Sequence, residues 1–429
     1  MHLGGGKLIH RAIVAALVTS VALTACGQTA EPPASAGYRL FLLEGLDNFG
    51  ARVTVRDSGT GKIERELPAG TPSPDWSRYY TITHLNGSTQ VTAVDPRSGR
   101  TLDQLTIPSG YNLTNLGFQG PAVGLSPNGQ WLVLTGSKSY ADGKPYTTFV
   151  VGQSSLAEPF KQVRVPGDMT FDALSNDGQS LYLIETMGAI GHYQVRLFNV
   201  GSQSLAMQPV VDKREPTEPM NGVRGESLPA ADANYVFTVY ARNEGPFIHA
   251  LPLDQPVAWC IELPTSSASN WDEQFHWSLA TSSDNSKLYA VNGSSGVIAE
   301  MSPASLPKIS RIVRFNPNSQ SLRPAGSVVQ ASARGLAIGG AVLSSDGRTL
   351  FALGQSGILA IETATLRVRA RYLEEHDILS LRLSADGKWL YGADRGNRVL
   401  QIDPQTGLVA GDVMGVDNPW AVLFATSKS

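Results

Sequence analysis

One short motif, repeated along the chain, constrains the fold more than any other feature. It reads apolar residue, Ser, any residue, Asp or Asn, Gly, two further residues, then an apolar or aromatic run. Clear copies are Leu125-Ser126-Pro127-Asn128-Gly129, Leu174-Ser175-Asn176-Asp177-Gly178, Leu343-Ser344-Ser345-Asp346-Gly347 and Leu383-Ser384-Ala385-Asp386-Gly387. Degenerate copies stand at Ser73-Pro74-Asp75-Trp76, Ala231-Asp232-Ala233-Asn234 and Ser283-Asp284-Asn285-Ser286. Asn-Gly and Asp-Gly favour the left-handed backbone of a tight turn between antiparallel strands. A second turn motif follows several copies, as Val94-Asp95-Pro96-Arg97-Ser98-Gly99 and Ile402-Asp403-Pro404-Gln405-Thr406-Gly407. Looser versions are Ile361-Glu362-Thr363-Ala364-Thr365 and Val55-Arg56-Asp57-Ser58-Gly59. Short runs between the turns, such as 131–135, 181–184 and 288–291, read as strands, and no long 3.6-residue period appears, so helices should be few.

The Asp/Asn positions run from Asp75 to Asp386 at a spacing of roughly 52 residues. Each unit has room for four strands and no helix, the signature of a propeller blade. The last apolar run, 418–424, reads as the innermost strand of a blade whose other strands come from 38–43, 52–56 and 62–67. Sharing one blade between the two termini would close the ring and remove its exposed strand edges. Seven turn motifs plus a shared blade give eight blades, at about 49 residues each over 37–429. Seven blades is the alternative, reached if one degenerate copy is not a blade. The expected fold is therefore all-β: a single β-propeller of four-stranded blades, closed by N-terminal strands pairing with the C-terminal one.

These motifs resemble the YVTN-type repeat family, relatives of the WD-repeat propellers. In that family a Ser-Pro-Asp-Gly turn precedes a Leu-Tyr-Val strand, and an Ile-Asp-x-x-Thr-Gly turn comes later. Leu288-Tyr289 and Leu390-Tyr391 match the strand. The resemblance spans 37–429, strongest at 341–429 and weakest at 213–276. It implies the fold far more than the function, since related propellers include lactone-cleaving hydrolases, metal-dependent enzymes and plain binding modules.

The first 25 residues read as a signal peptide: Lys7 and Arg11, then an apolar stretch over 12–23. Leu23-Thr24-Ala25-Cys26 resembles a bacterial lipobox, which implies cleavage before Cys26 and a lipid on its thiol. Residues 26–36 would be the lipidated cysteine and a flexible tether, and 37–429 the propeller. The expected place is extracytoplasmic, anchored by lipid to the bacterial cell membrane. Removing Lys7 and Arg11 takes the formal charge from −3 to −5. Such a charge excludes the usual basic nucleic-acid binder. With Cys26 acylated, Cys260 has no partner for a disulfide and reads as a buried thiol on a strand. A monomer is expected.

Catalytic and cofactor motifs are mostly missing. There is no Cys-x-x-Cys-His for haem, no His-Glu-x-x-His for zinc, no Gly-x-Ser-x-Gly elbow and no alternating-Asp calcium loop. No cofactor, metal site or catalytic residue is assigned. What remains is placed by the fold. Loops entering the inner strands, and turns between second and third strands, open on one mouth of the central channel. The candidate binding residues there are Arg224, Glu226, Asp272, His276, Trp277, Glu375, His376, Arg395 and Asp417. Two stretches stand out, Trp271-Asp272-Glu273-Gln274-Phe275-His276-Trp277 and Glu374-Glu375-His376-Asp377, because carboxylates beside an imidazole bind cations or move protons. The expected function is a membrane-anchored module binding a protein, a polysaccharide or a small molecule. The alternative is a lactonase-like or metal-assisted propeller hydrolase with its site at the channel mouth.

Overall fold

The computed structural model describes residues 37–45, 52–108, 110–114, 124–188, 192–212, 220–265, 272–303, 307–317 and 339–428. The signal segment, Cys26, the tether and residues 318–338 lie outside them. The body, Ser35–Ser429, is one compact unit. It is an all-β ring of eight blades.

Blade 1 carries Tyr38–Glu44, Arg52–Asp57 and Ile63–Pro68, with Pro419–Ser427 innermost. The remaining inner strands are Thr71–Pro72, Tyr111–Leu113, Met169–Leu174, Val223–Pro229, Trp277–Thr281, Ala341–Leu343 and Ile378–Leu383, for blades 2 to 8 in order. The degenerate copy at Asp75 is thus a true blade, with a two-residue inner strand. Blade 5 gains a short parallel fifth strand, Val211–Asp212, on its outer edge. In blade 3, Trp131–Ala141 and Lys144–Gln153 pair beyond the blade into an extended hairpin. Among the described residues the only helical element is a short 3-10 turn, Asp272–His276.

The recurrent motif works as a small hydrogen-bonded clasp. In six copies the Ser hydroxyl donates to the Asp or Asn two residues on, at 2.5–2.7 Å. The same hydroxyl accepts the N–H five residues on, at 2.8–3.0 Å. The residue after the Asp or Asn always has positive φ, from 55° at Asn285 to 72° at Gly129. Glycine meets that demand freely; Trp76, Ala233 and Asn285 meet it under strain. The clasp therefore starts the second strand in register without help from tertiary packing.

Period-two alternation then sends side chains to both faces of each blade. Tyr38, Leu40 and Leu42 face blade 8, while Phe41 faces blade 2. The consequence is eight apolar clusters, one between each successive pair of blades. Each fully buried Leu, Ile or Phe in them contributes about 1.5–3 kcal/mol. Two clusters close the ring. Tyr391 and Val399 of blade 8 pack on Tyr38 and Val422, and Trp76 of blade 2 stacks on Phe424 at 5.0 Å with its ring nearly parallel. Within blade 1, Phe41 pairs with Phe424 and Leu40 with Ala425, so the terminal strands zip directly.

Candidate functional site

Inner strands leave their channel-facing side chains without a neighbouring blade, so the channel is where polar residues fit. A cavity of about 320 Å³ lies there. Its wall takes residues from blades 4 to 8 and from the turns of blades 2 and 3. Apolar side chains line much of it, among them Leu125, Phe171, Leu228, Val236 and Ala341. Four charged side chains interrupt it: Asp172, Arg224, Glu226 and Arg382.

Arg224 and Asp172 form a sheltered pair. The Nη1 of Arg224 is 3.2 Å from Asp172 Oδ1, and both side chains are largely buried. Arg224 Nη2 donates to Ser227 Oγ at 3.0 Å, and Ser227 Oγ lies 2.8 Å from Thr238 Oγ1. The Nε of Arg224 is buried with no hydrogen-bond partner among the described residues. A buried guanidinium N–H left open costs free energy unless something else accepts it.

Glu226 is 9% exposed, and burial pushes its carboxyl up to about 8. The Leu279 amide donates to its Oε2 at 3.2 Å, which together with the Arg382 charge only partly offsets desolvation. At neutral pH this side chain is mainly a neutral acid. Arg382 makes a 3.5 Å bond from Nε to the Val422 carbonyl, and among the described residues no carboxylate lies within ion-pair distance of it. Burial pulls its guanidinium below the ordinary value.

The residues expected at the mouth sort into three groups. Arg224 and Glu226 do not sit in a loop entering blade 5; they lie on its inner strand, Val223–Pro229, facing the channel. His376 forms a rim cluster: its Nδ1 is 2.8 Å from Asp394 Oδ2, and its Nε2 is 3.5 Å from the exposed Glu375. Arg398 Nε also reaches Asp394 at 2.9 Å, and Arg395 pairs with Asp377 at 2.9 Å. Burial alone would raise the Asp394 carboxyl, but bonds from His376 and Arg398 hold it below the ordinary range. His276 sits on blade 6, its Nδ1 2.8 Å from Ser294 Oγ, so blade 7 separates the two imidazoles. Trp277 is buried in the core between blades 5 and 6 and does not line the channel. Asp272 is exposed, and Asp417 pairs at the surface with Arg52 at 3.3 Å. Cys260 lies on the strand Val257–Glu262, half-buried rather than fully enclosed. Among the described residues no group of three or more His, Cys, Asp or Glu is placed to hold a metal ion.

Asp172 and Arg382 were missed by sequence reasoning. Their signal is a charge inside an otherwise apolar inner strand, three residues before Ser175 and two before Ser384.

The class defined here is an eight-bladed β-propeller with a charged, partly apolar channel. Among solved structures, the chain is similar to the periplasmic gluconolactonase PpgL of Pseudomonas aeruginosa, at 18% identity over 80% of this chain and 97% of that one, TM-score 0.40. It is similar to AztD of Citrobacter koseri, at 11% identity over 91% and 97%, TM-score 0.47. It is also similar to a putative 6-phosphogluconolactonase of Bacteroides uniformis, at 14% identity over 90% and 98%, TM-score 0.43. No protein-family model matches the chain, and no curated protein matches it.

Proposed function

We propose that this propeller is a binding module whose ligand is a small organic molecule held inside the channel. The observation that carries the reading is the sheltered Arg224–Asp172 pair, with its open Nε, in the wall of a cavity of about 320 Å³. Apolar walls with a few convergent polar groups are the usual makeup of a small-ligand site. A thermal-shift screen of a small-molecule library tests it, run on the protein and on an Ala341→Phe variant that fills the cavity. Hits should stabilise the first and not the second. Hits that stabilise both equally would place the ligand elsewhere.

The second reading is a hydrolase at the mouth. Asp394 orients His376 through Nδ1, leaving Nε2 as a potential base toward the rim. Lactone and phosphoester turnover lost in a His376→Asn variant would favour it; no turnover by the parent protein would retire it.

We also propose that Cys26 carries a lipid that anchors the body outside the cytoplasmic membrane. Labelled palmitate should enter the protein and be absent from a Cys26→Ser variant. Equal labelling of both, or none in either, would defeat the anchor.

A further inference from the structure

We infer that the channel takes a small amphipathic carboxylate, its head group between the Arg382 guanidinium and the Glu226 carboxyl and its hydrocarbon body along Phe171, Leu228, Val236 and Ala341. This rests on the channel being the ligand site.

Charge decides the sign of the ligand. Asp172 already neutralises Arg224 at 3.2 Å. Arg382 has no such partner among the described residues, and a neutral Glu226 does not supply one. Arg382 is thus the cationic side chain of the cavity wall that has no carboxylate within ion-pair distance among the described residues, so the wall favours an incoming negative charge. Geometry decides the head group. The Leu279 and Gly339 amides both donate to the Glu226 carboxyl, the first to Oε2 at 3.2 Å, and the protonated carboxyl keeps its own O–H to donate to an incoming oxygen. A planar carboxylate fits both a guanidinium fork and an acid O–H donor. The open Nε of Arg224 offers a further donor to a ligand oxygen. The walls decide the body. The apolar side chains Phe171, Leu228, Val236 and Ala341 suit a hydrocarbon body, and a polyol would leave the hydroxyls that face them unsatisfied. A cavity of about 320 Å³ is also at the small end for ligand pockets.

Binding should depend on the Glu226 proton. The groups facing that carboxyl are Arg382 from blade 8, the Leu279 amide from blade 6 and the Gly339 amide ahead of blade 7, with Asp172 and Arg224 lining the same cavity from blades 4 and 5. Once Glu226 ionises it occupies Arg382 itself and repels a second carboxylate. With its carboxyl at about 8, the competent fraction falls about thirtyfold between about pH 6.5 and about pH 9.5.

The test is calorimetric titration of the protein with benzoate and hexanoate, and with benzyl alcohol and hexanol as neutral matches, at those two pH values. Carboxylates should bind and the alcohols should bind far more weakly. Carboxylate affinity should fall about thirtyfold on going to the higher pH. Glu226→Gln, which keeps a neutral donor, should bind carboxylates alike at both. Arg382→Met should lose about tenfold or more. Equal binding of acids and alcohols, or a pH dependence that survives in Glu226→Gln, overturns the inference while leaving the channel as a site. Failure of all four probes overturns it too; the cavity-filled variant above then decides the channel reading separately.

Discussion

Replacing Glu226 by Gln should stabilise the protein by an amount that grows as pH rises from about 4.5 to about 8. The carboxyl is 9% exposed, and burial raises it from an ordinary 4.5 to about 8. In the unfolded chain it ionises near the ordinary value. Between those two points the folded chain keeps a proton that the unfolded chain has released, so stability falls as pH rises. At about 1.4 kcal/mol per pH unit, the interval amounts to about 5 kcal/mol, less whatever water in the channel recovers. Gln has the same shape, still accepts the Leu279 N–H, and is neutral at every pH. The Glu226→Gln variant should therefore match the parent below about pH 4, exceed it by about 3 kcal/mol near pH 7 and approach the full gap above about pH 8. Guanidinium denaturation at pH steps across that range, with slopes compared, measures the gap. A gap that stays flat, or shrinks as pH rises, would mean that the folded chain ionises Glu226 as readily as water does. The channel electrostatics would then be wrong.

Three further outcomes follow from the geometry. Trp76→Ala should cost about 3–5 kcal/mol in chemical denaturation, because its ring packs on both Phe41 and Phe424 where the ring closes; a loss under about 1 kcal/mol would contradict that closure. Ala233→Gly should gain about 1 kcal/mol, since the residue is held at φ 63° in the one clasp that lacks the Ser hydroxyl, and a loss would show the turn is built otherwise. Asp394→Asn should cost about 1–3 kcal/mol at neutral pH. Asp394 is held below the ordinary carboxylate range, so its contribution is present above that range and disappears as pH falls through it. The variant and parent should converge in strong acid.

The ring was legible because its information is local. Each clasp needs only Ser, Asp or Asn, and a residue tolerant of positive φ, all within a few positions, so the spacing of the clasps counts the blades. The terminal pairing was also legible, because Pro419–Ser427 has the apolar pattern of an inner strand, and Tyr38–Glu44, Arg52–Asp57 and Ile63–Pro68 read as the other three strands of one blade. The site was read less well. Arg224 and Glu226 were found but assigned to a loop, because the polar, Pro-containing run 213–219 just before the inner strand of blade 5 shows no strand pattern in the sequence. Asp172 and Arg382 were passed over because a single charge in an apolar strand looks like a surface position. Only the ring shows that they face one cavity, brought together from residues far apart in the chain. Trp277 failed in the opposite sense: an aromatic beside carboxylates looked like a site, yet packing between blades claims it.

Hydrogen exchange with and without benzoate tests the central claim most directly. If the channel holds the ligand, added protection falls on Met169–Leu174, Val223–Pro229 and Ile378–Leu383, three inner strands on separate blades. Protection confined to the rim around His276 and His376, with those strands unchanged, would contradict the account.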